Sequence, residues 1–252
     1  MNKTILITGA TSGIGKATAE KFAQNNYNLI ITGRRKERLL ELENQLKKFP
    51  INIFSLEFDV RKPEQVKSAI ESLPPHFRAI DILVNNAGLA AGLGTMDEGV
   101  IENWENMIDT NIKGLLYVSK HVMPLMIEKG KGHIINIGSI AGKEVYLKGN
   151  VYCATKHAVD AISKSMRIDL LPHKIKVTNV NPGAVETEFS IVRLNGDKEK
   201  AAKVYEGFQP LLPMDIAEII YFVASQPAHV NINDIVVTPT AQANTVHILK
   251  DL

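Results

Sequence analysis

Short apolar segments alternate with longer amphipathic segments along almost the whole chain, and this alternation restricts the possible folds most strongly. The β-branched run at 3–8 is followed by 13–24, where apolar residues recur at helical spacing. The same pattern predicts further strands at 28–32, 51–57, 82–85, 133–137, 175–180 and 235–238, and further helices at 35–48, 62–72, 103–129, 151–171 and 215–225. Strands connected through helices lie parallel in a sheet that helices cover on both faces. The sequence therefore predicts an α/β fold with one doubly wound parallel sheet.

Nothing in the composition divides the chain. No linker, internal repeat or change of composition interrupts the 252 residues, so a single domain is predicted over 1–252. Charged residues make up 22% and the net charge is +2, which argues against a nucleic-acid partner. No apolar run reaches the roughly 18 residues of a membrane span, and no secretory signal opens the chain. A cytoplasmic protein without a membrane partner is therefore expected, and the single cysteine agrees with a reducing compartment.

A glycine-rich turn lies between the first predicted strand and the first predicted helix. Gly9, Gly13 and Gly15 are spaced Gly-x-x-x-Gly-x-Gly. Glycines at such a turn let the backbone approach a pyrophosphate, which then lies at the helix N-terminus. Lys16 raises the alternative of a Walker phosphate loop, but the first glycine of that motif is missing and Ala17 replaces its magnesium-binding hydroxyl. A dinucleotide site is favoured, and a glycine turn without a ligand is the remaining alternative.

The end of the second predicted strand indicates which nicotinamide coenzyme the chain would bind. NAD-binding domains place an acidic residue there on the adenosine ribose, whereas NADP-binding domains accommodate the 2′-phosphate with arginine. Arg34 and Arg35 follow Gly33, and the next carboxylate is Glu37. A guanidinium group binds phosphate through paired hydrogen bonds, and Gly33 leaves room for the phosphate. These residues favour NADP, the alternative being two arginines in the solvated first turn of a helix.

Tyr152 and Lys156 are the candidate reactive pair. Residues four apart lie on the same face of a helix, about one turn from each other. A phenol titrates near 10, and an ammonium group about 4 Å away would lower that pKa by about three units at an effective dielectric constant near 20. The phenol could then exchange a proton at neutral pH. An ordinary pair on a solvated helix face is the alternative.

Several motifs occur together and in order, and jointly they are far more specific than any one of them. They are Gly9-x-x-x-Gly13-x-Gly15, Asp59-Val60, Asn85-Asn86-Ala87-Gly88, Asn111, Ser139 and Tyr152-x-x-x-Lys156. With these motifs the chain resembles the short-chain dehydrogenase/reductase family over nearly its whole length. The resemblance implies a Rossmann fold and an NADP-dependent oxidoreductase that acts on CH–OH groups.

The resemblance also assigns residues to the coenzyme. Asp59 and Val60 would meet the adenine. Lys156 would hold the nicotinamide ribose, and Pro182 and Gly183 would cover the carboxamide. The full implied set is Gly9, Thr11, Ser12, Gly13, Ile14, Gly15, Arg34, Arg35, Asp59, Val60, Asn86, Ala87, Gly88, Tyr152, Lys156, Pro182, Gly183, Val185 and Thr187.

The implied catalytic residues are Asn111, Ser139, Tyr152 and Lys156. The hydride belongs to the coenzyme, so the protein must orient the carbonyl carbon and manage its oxygen. Ser139 can donate a hydrogen bond to that oxygen, and Tyr152 can supply or remove the proton. Asn111 would kink the long helix and hold a water that leads to Lys156.

The C-terminal part of the chain narrows the resemblance. The last predicted strand runs into Thr-Pro-Thr-Ala-Gln at 238–242, not into the Val-Asp-Gly-Gly type sequence of many relatives that act on acyl thioesters. Together with Arg34-Arg35, 188–193 and 227–233, this is similar to the NADP-dependent serine/L-allo-threonine dehydrogenase and 3-hydroxy acid dehydrogenase group. That similarity implies a homotetramer that interconverts small 3-hydroxy acids and their carbonyl forms. A broad-range carbonyl or 3-oxoacyl reductase and a nucleotide-sensing protein without catalysis are the alternatives.

A charged stretch at 184–213, here called the lid segment, is expected to cover the substrate and to order on binding. A hydroxy acid carries a carboxylate, so its site needs a cation. Arg193 in the lid segment is the first candidate for this cation, and Lys148 is the second. Together with Ser139 and Tyr152, Arg193 forms the predicted set of substrate contacts. A solvated surface position is the alternative for Arg193.

The other reactive side chains form no recognisable site. The seven histidines show no metal-ligand spacing, so no metal is predicted. Ser139 lacks the Gly-x-Ser-x-Gly elbow of hydrolases. Cys153 would point about 100° away from Tyr152 on the helix, which predicts a buried thiol. Trp104 is expected to pack in the core or at a subunit interface.

Overall fold

The computed structural model describes residues 2–194 and 196–251. Residues 1, 195 and 252, which the predicted domain and lid segment include, lie outside the described residues. Seven strands form one parallel sheet in the order β3-β2-β1-β4-β5-β6-β7. They are β1 (Thr4–Ile7), β2 (Asn28–Gly33), β3 (Ile53–Glu57), β4 (Ile80–Asn85), β5 (Gly132–Ile137), β6 (Ile175–Pro182) and β7 (Asp234–Val237). The predicted doubly wound sheet of Rossmann type is confirmed. Its strand order reverses between β1 and β4, which is where such sheets bind ligands.

Helices cover both faces of the sheet and bury two apolar cores. They are α1 (Gly13–Gln24), α2 (Lys36–Leu46), α3 (Pro63–Glu71), α4 (Ile101–Ile108), α5 (Leu115–Lys129), α6 (Asn150–Asp169), α7 (Glu188–Arg193), α8 (Lys198–Lys203) and α9 (Pro213–Ser225). One core joins α1, α2 and α9 to the sheet, and the other joins α3, α5 and α6. Along β1, Ile5 and Ile7 face the first core and Leu6 faces the second. Both faces of the strand are buried, which explains its continuous apolar sequence.

The long helix predicted at 103–129 is divided by a π-helical turn. The turn spans Asp109–Gly114, between α4 and α5, and contains Asn111, where the resemblance implied a kink. A Cβ built on Gly114 would lie 2.7 Å from Val60 Cγ2, so the wider turn presses its backbone against the loop after β3. The prediction of one regular helix was wrong in this respect, because apolar spacing does not reveal one wider turn.

The lid segment contains two short helices that apolar spacing did not predict. Thr187 Oγ1 accepts a hydrogen bond from Phe189 N at 3.1 Å at the start of α7. Asp197 Oδ1 accepts one from Lys200 N at 3.0 Å at the start of α8. Each helix has six residues, too few to show a periodic apolar pattern. Within the part of the chain described, no helix is long and apolar enough to cross a membrane.

Candidate active site

A cleft of about 540 Å³ opens at the carboxyl ends of the strands. The lid segment forms one of its sides. The predicted coenzyme, substrate and catalytic residues that line the cleft are Gly9, Thr11, Ser12, Gly13, Ile14, Arg34, Arg35, Asp59, Val60, Asn86, Ala87, Gly88, Ser139, Tyr152, Lys156, Pro182, Gly183, Val185, Thr187 and Arg193. Gly15 and Asn111 do not line it and lie buried behind its wall. The structure thus brings residues from most of the chain to one place.

The glycine turn leaves the start of α1 open to the cleft. Gly9 and Gly13 have φ values of 65° and 52°, in the left-handed region that side chains avoid. A Cβ built on Gly15 would lie 2.3 Å from Gly9 O, so only glycine lets α1 begin this close to β1. Ser12 precedes α1 and makes no side-chain cap hydrogen bond. The first N–H groups of α1 are therefore available to an anion such as a pyrophosphate.

The end of β2 presents two partly exposed arginines to the cleft. Arg35 Nη2 donates hydrogen bonds to Thr11 Oγ1 at 3.0 Å and to Ser12 Oγ at 3.2 Å. Arg34 Nη1 lies 3.8 Å from Asp59 Oδ2. The strand itself ends on a glycine, so no acid stands where a ribose-binding carboxylate would be. Two guanidinium groups beside the glycine turn suit a 2′-phosphate, and these residues fit NADP better than NAD.

Tyr152 and Lys156 lie on one face of α6, with only 9% and 7% of their surfaces exposed. Lys156 Nζ donates a hydrogen bond to Ile137 O at 2.9 Å and lies 6.0 Å from the centroid of the Tyr152 ring. Burial lowers the pKa of Lys156 to about 8. Ser139 Oγ accepts a hydrogen bond from Ala141 N at 3.1 Å, which fixes this hydroxyl just beyond the carboxyl end of β5.

The pKa of Tyr152 departs from the expectation drawn from sequence spacing. Burial raises the pKa of the phenol, and the hydroxyl of Ser139 and the charge of Arg193 offset only part of that rise. The expected lowering rested on an ammonium about 4 Å away in a medium of dielectric constant near 20. Here removal from water disfavours the charged forms of both Tyr152 and Lys156, and it is the largest effect on each. The phenol is held protonated, as a proton donor must be.

Asn111 fixes the wall behind the reactive pair. Its Nδ2 donates hydrogen bonds to Leu89 O at 2.8 Å and to Thr155 Oγ1 at 3.0 Å, and its Oδ1 accepts one from Leu89 N at 2.9 Å. A Cβ built on Gly88 would lie 3.3 Å from Asn111 Oδ1 and 3.6 Å from Lys156 Nζ. Gly88 therefore keeps the space between these two atoms open. The role of Asn111 in holding a water stays a prediction.

Arg193 brings a cation close to the phenol. Its guanidinium carbon lies 5.4 Å from the ring centroid of Tyr146 and 5.6 Å from that of Tyr152. Gly92 N donates a hydrogen bond to Arg193 O at 3.0 Å, which ties the end of α7 to the loop after β4. Arg193 Nε is buried without a hydrogen-bond partner among the described residues, so one donor of this guanidinium group is unsatisfied. Lys148, the second candidate, is exposed and does not line the cleft, so the structure favours Arg193 over it.

Further side chains line the cleft that the sequence did not assign to it, among them Tyr146, Phe189 and Gln242. The ring centroid of Phe189 lies 5.6 Å from that of Tyr152. Gln242 Oε1 accepts a hydrogen bond from Ala184 N at 2.8 Å and joins the C-terminal part of the chain to the lid segment. The only sequence feature that could have indicated Tyr146 is its aromatic ring a few positions before Tyr152. Gln242 ends the run at 238–242 that narrowed the resemblance, but nothing in that run indicated a position in the cleft.

The side chains judged unreactive behave as packing residues. Cys153 is 1% exposed and lies in a cluster with Tyr152 and Met107, against which Trp104 also packs. The predicted buried thiol is confirmed. No group of three His, Cys, Asp or Glu side chains within 2–194 and 196–251 could hold a metal ion. The absence of a metal stays a prediction.

Comparison with known proteins relates almost the whole chain to dehydrogenases. Residues 3–197 match the family model described as short chain dehydrogenase. The NADP-dependent 3-hydroxy acid dehydrogenase YdfG of Salmonella typhi is 48% identical over 240 residues, which are 95% of this chain and 96% of that protein. Serine 3-dehydrogenase of Rhizobium radiobacter is 45% identical over 243 residues, 96% of each protein. A structure of the closed form of serine dehydrogenase complexed with NADP+ is 44% identical, with a TM-score of 0.93 over 99% of this chain and 100% of that chain.

Proposed function

Because this chain belongs to the short-chain dehydrogenase family, we propose that it is an NADP-dependent oxidoreductase that interconverts small 3-hydroxy acids and their carbonyl forms. The observation that carries the proposal is the position of Arg193, whose guanidinium carbon lies 5.6 Å from the Tyr152 ring centroid. A substrate with its carboxylate on Arg193 would bring its hydroxyl-bearing carbon toward Tyr152 and Ser139. The relatives support the same substrate class, since they include a 3-hydroxy acid dehydrogenase and a serine 3-dehydrogenase.

The cleft divides the proposed coenzyme contacts among three regions. The open N–H groups of α1 would meet the pyrophosphate, and Arg34 and Arg35 would meet the 2′-phosphate. Lys156 would hold the nicotinamide ribose hydroxyls with the N–H groups that Ile137 O does not use. When bound, NADP supplies the hydride for reduction or accepts it in oxidation.

Tyr152 is the proposed general acid and base. In reduction its phenol O–H gives a proton to the substrate oxygen, and burial already keeps that proton in place. In oxidation the phenol must first lose its proton, and the charge of Lys156 would stabilise the resulting phenolate. Ser139 would donate a second hydrogen bond to the substrate oxygen. Asn111, held by the backbone of Leu89, would position a water beside Lys156.

Initial rates on a small panel test the substrate class. The panel contains L-serine, L-allo-threonine and 3-hydroxypropionate for oxidation and an acetoacetyl thioester for reduction, each with both nicotinamide coenzymes. We expect turnover of the hydroxy acids, with NADP preferred over NAD. Faster turnover of the thioester would favour the 3-oxoacyl reductase alternative. Binding of NADPH without turnover of any compound would favour the nucleotide-sensing alternative.

Arg193→Met tests the carboxylate contact. Loss of a charge-assisted hydrogen bond should raise KM for a hydroxy acid about ten- to a hundredfold, with a smaller effect on KM for NADP. Arg193→Lys keeps the charge and should recover part of the loss. Lys148→Met is the matched control, because this exposed lysine lies outside the cleft. An unchanged KM in Arg193→Met would remove Arg193 from the substrate site.

A homotetramer is proposed from the exposed apolar side chains of the helices and the edge strand. Ile101 of α4 and Leu116 of α5 are 66% and 41% exposed, and Phe222 of α9 and Val236 of β7 are 50% and 51% exposed. These two pairs lie on different elements, as the two interfaces of a dihedral tetramer require. Analytical ultracentrifugation should give four times the chain mass of 27.8 kDa. The cytoplasmic location stays a prediction.

A further inference from the structure

Helix α7 connects the two ends of the cleft. Its first residue, Glu188, faces the arginines at the start of α2. Both carboxylate oxygens of Glu188 accept hydrogen bonds from Arg38 Nη1 at 2.9 Å, and Oε2 lies 3.5 Å from Arg35 Nη1. The last residue of α7 is Arg193, beside the ring of Tyr152. One short helix therefore has its ends at the proposed phosphate site and at the proposed proton donor.

The residue before α7 covers the glycine turn. A Cβ built on Gly13 would lie 3.3 Å from Thr187 Cγ2, so the start of α7 lies directly against the turn. Arg35 reaches the same turn from the other side, through its hydrogen bonds to Thr11 and Ser12. The ion pair of Glu188 thus completes a bridge of side chains across the groove where a pyrophosphate would lie.

The ion pair between Glu188 and the two arginines is accessible to water, so it can form and break without unfolding the protein. The side chains of Glu188, Arg35 and Arg38 are 45%, 44% and 40% exposed, and pairs this accessible to water contribute little to folding. Burial raises the pKa of Glu188, but the hydrogen bond and charge of Arg38, followed by the charge of Arg35, outweigh it and lower the pKa below its ordinary value. Glu188 therefore stays ionised at neutral pH and keeps its attraction to both arginines.

We propose that Glu188 is a positioning residue whose ion pair with Arg38 and Arg35 fastens α7 across the cleft, which retains NADP and holds Arg193 beside Tyr152. The inference rests on the proposed function for the identities of the coenzyme and of the acid. Arg38 alone can keep Glu188 in place when Arg35 turns to a phosphate, because both oxygens of Glu188 already bind Arg38. The contact therefore remains compatible with a bound coenzyme.

The release rate of NADPH measures the fastening directly. The experiment follows nicotinamide fluorescence in a stopped-flow mixer after an excess of NADP+ is added. Glu188→Gln keeps the shape but removes the charge, and we expect its dissociation rate constant to rise about three- to tenfold. Glu186→Gln is the matched control, since Glu186 is exposed and makes no ion pair within the described residues. A rate in Glu188→Gln equal to that of the control would overturn the proposal.

Exchange of the two charges separates a specific pair from a general loss of structure. Arg38→Glu should release NADPH faster, as Glu188→Gln does. The double variant with Arg38→Glu and Glu188→Arg restores an opposite pair and should recover part of the wild-type rate, because Arg35 lies 3.5 Å from Glu188 and repels the exchanged charge. A double variant at least as fast as either single variant would contradict the pairing.

The Michaelis constant for the acid tests the connection to Arg193. Glu188→Gln should raise KM for a hydroxy acid about fivefold without lowering kcat, because α7 then holds Arg193 less firmly. A merely structural loss would instead lower kcat through the active fraction and leave KM unchanged. That second pattern would count against the positioning role.

Trypsin digestion of the coenzyme-free protein keeps the inference testable if the proposed function fails. Cleavage at the basic residues between 193 and 203 should be faster in Glu188→Gln than in Glu186→Gln, because the ion pair is present without coenzyme. Equal cleavage rates would refute the fastening, whatever the enzyme binds or converts.

Discussion

At Tyr152 and Lys156, removal from water acts on two groups whose charges would be opposite. It raises the pKa of the phenol and lowers the pKa of the ammonium to about 8, so it opposes the charged form of each. At neutral pH the folded protein therefore holds a neutral phenol and a lysine that is charged at a cost to the fold. The charged Lys156 therefore lowers the free energy of unfolding, at a position where the proposed chemistry needs a fixed cation. Such conflicts between stability and charge are typical of functional sites.

Lys156→Met should stabilise the fold at pH 7 while it abolishes turnover. The pKa of Lys156 is about 8 in the folded protein, against 10.5 ordinarily, so folding disfavours its protonated form. That penalty is complete below pH 8. Between pH 8 and pH 10.5 the folded protein has lost the proton that the unfolded chain still binds, so the penalty shrinks as the pH rises through this range. We expect a gain of about 1–3 kcal/mol at pH 7, reduced by the lost bond to Ile137 O and smaller at pH 10.

Thermal unfolding at pH 7 and pH 10 measures this difference. Lys120→Met, which changes an exposed lysine of α5, is the control and should show no pH-dependent difference from the wild type. A Lys156→Met variant that melts below the wild type at pH 7 would show that the hydrogen bond to Ile137 O outweighs the buried charge.

At the scale of secondary structure, the periodicity of apolar residues predicted the strands and the long helices but not the π turn or the short helices α7 and α8. Apart from the divided helix, the predicted bounds of the strands and long helices differ from the observed ones by at most two residues. Period-two and period-3.6 patterns arise from burial of a whole face, so they persist along an element. The π turn at Asp109–Gly114 and the helices α7 and α8 depend on a few side-chain contacts, which leave no periodic pattern.

The site was predictable where a motif or a resemblance named the residue. The glycine turn, the arginines after β2, and the Tyr152 and Lys156 pair follow from spacing and from the chemistry of phosphate and proton transfer. Tyr146 and Gln242 enter the cleft only because the chain returns there in three dimensions. The raised pKa of Tyr152 was missed for a related reason, since burial depends on packing and not on the distance between two residues in sequence.

Gly114→Ala tests the close contact of the π turn with the loop after β3. In an ordinary helix this change stabilises by about 1 kcal/mol. Here the added Cβ would lie 2.7 Å from Val60 Cγ2 and 3.0 Å from Val60 Cβ, so we expect a loss of about 1–3 kcal/mol in the free energy of unfolding. Val60→Ala should recover part of that loss in the double variant, a coupling measured by urea unfolding of all four proteins. A Gly114→Ala protein as stable as the wild type would show that the turn can move aside.

At the scale of the whole molecule, His133 makes stability depend on acid. It lies on β5, is 3% exposed, and its Nε2 is 2.7 Å from Thr178 Oγ1 on β6. Burial lowers its pKa to about 3, whereas the unfolded chain binds the proton near 6.5. Its contribution to stability is therefore complete above pH 6.5 and is lost as the pH falls toward 3.

His133→Gln should reduce the loss of stability between pH 7 and pH 5. The difference in pKa predicts that the wild type loses roughly 2 kcal/mol through this one group. Urea unfolding at both pH values should show that loss in the wild type and in His173→Gln, which changes an exposed histidine, but not in His133→Gln. Equal losses in all three proteins would place the acid sensitivity elsewhere.

The sequence contains one cysteine, and its sulfur lies in the reactive part of the fold. Cys153 is 1% exposed, and its Sγ would lie 2.7 Å from a Cβ built on Gly149, so the thiol is closed to reagents in the folded protein. A chromogenic disulfide can reach it only when the first turn of α6 separates from its neighbours. We therefore expect the rate of colour release by the unaltered protein to follow these openings, and a compound that binds beside Tyr152 to slow it, because Tyr152 packs in one cluster with Cys153. Inhibitors that have no colour and do not react could be ranked by how strongly they slow this release. Neither the inhibitor nor the protein would need a label or a substitution.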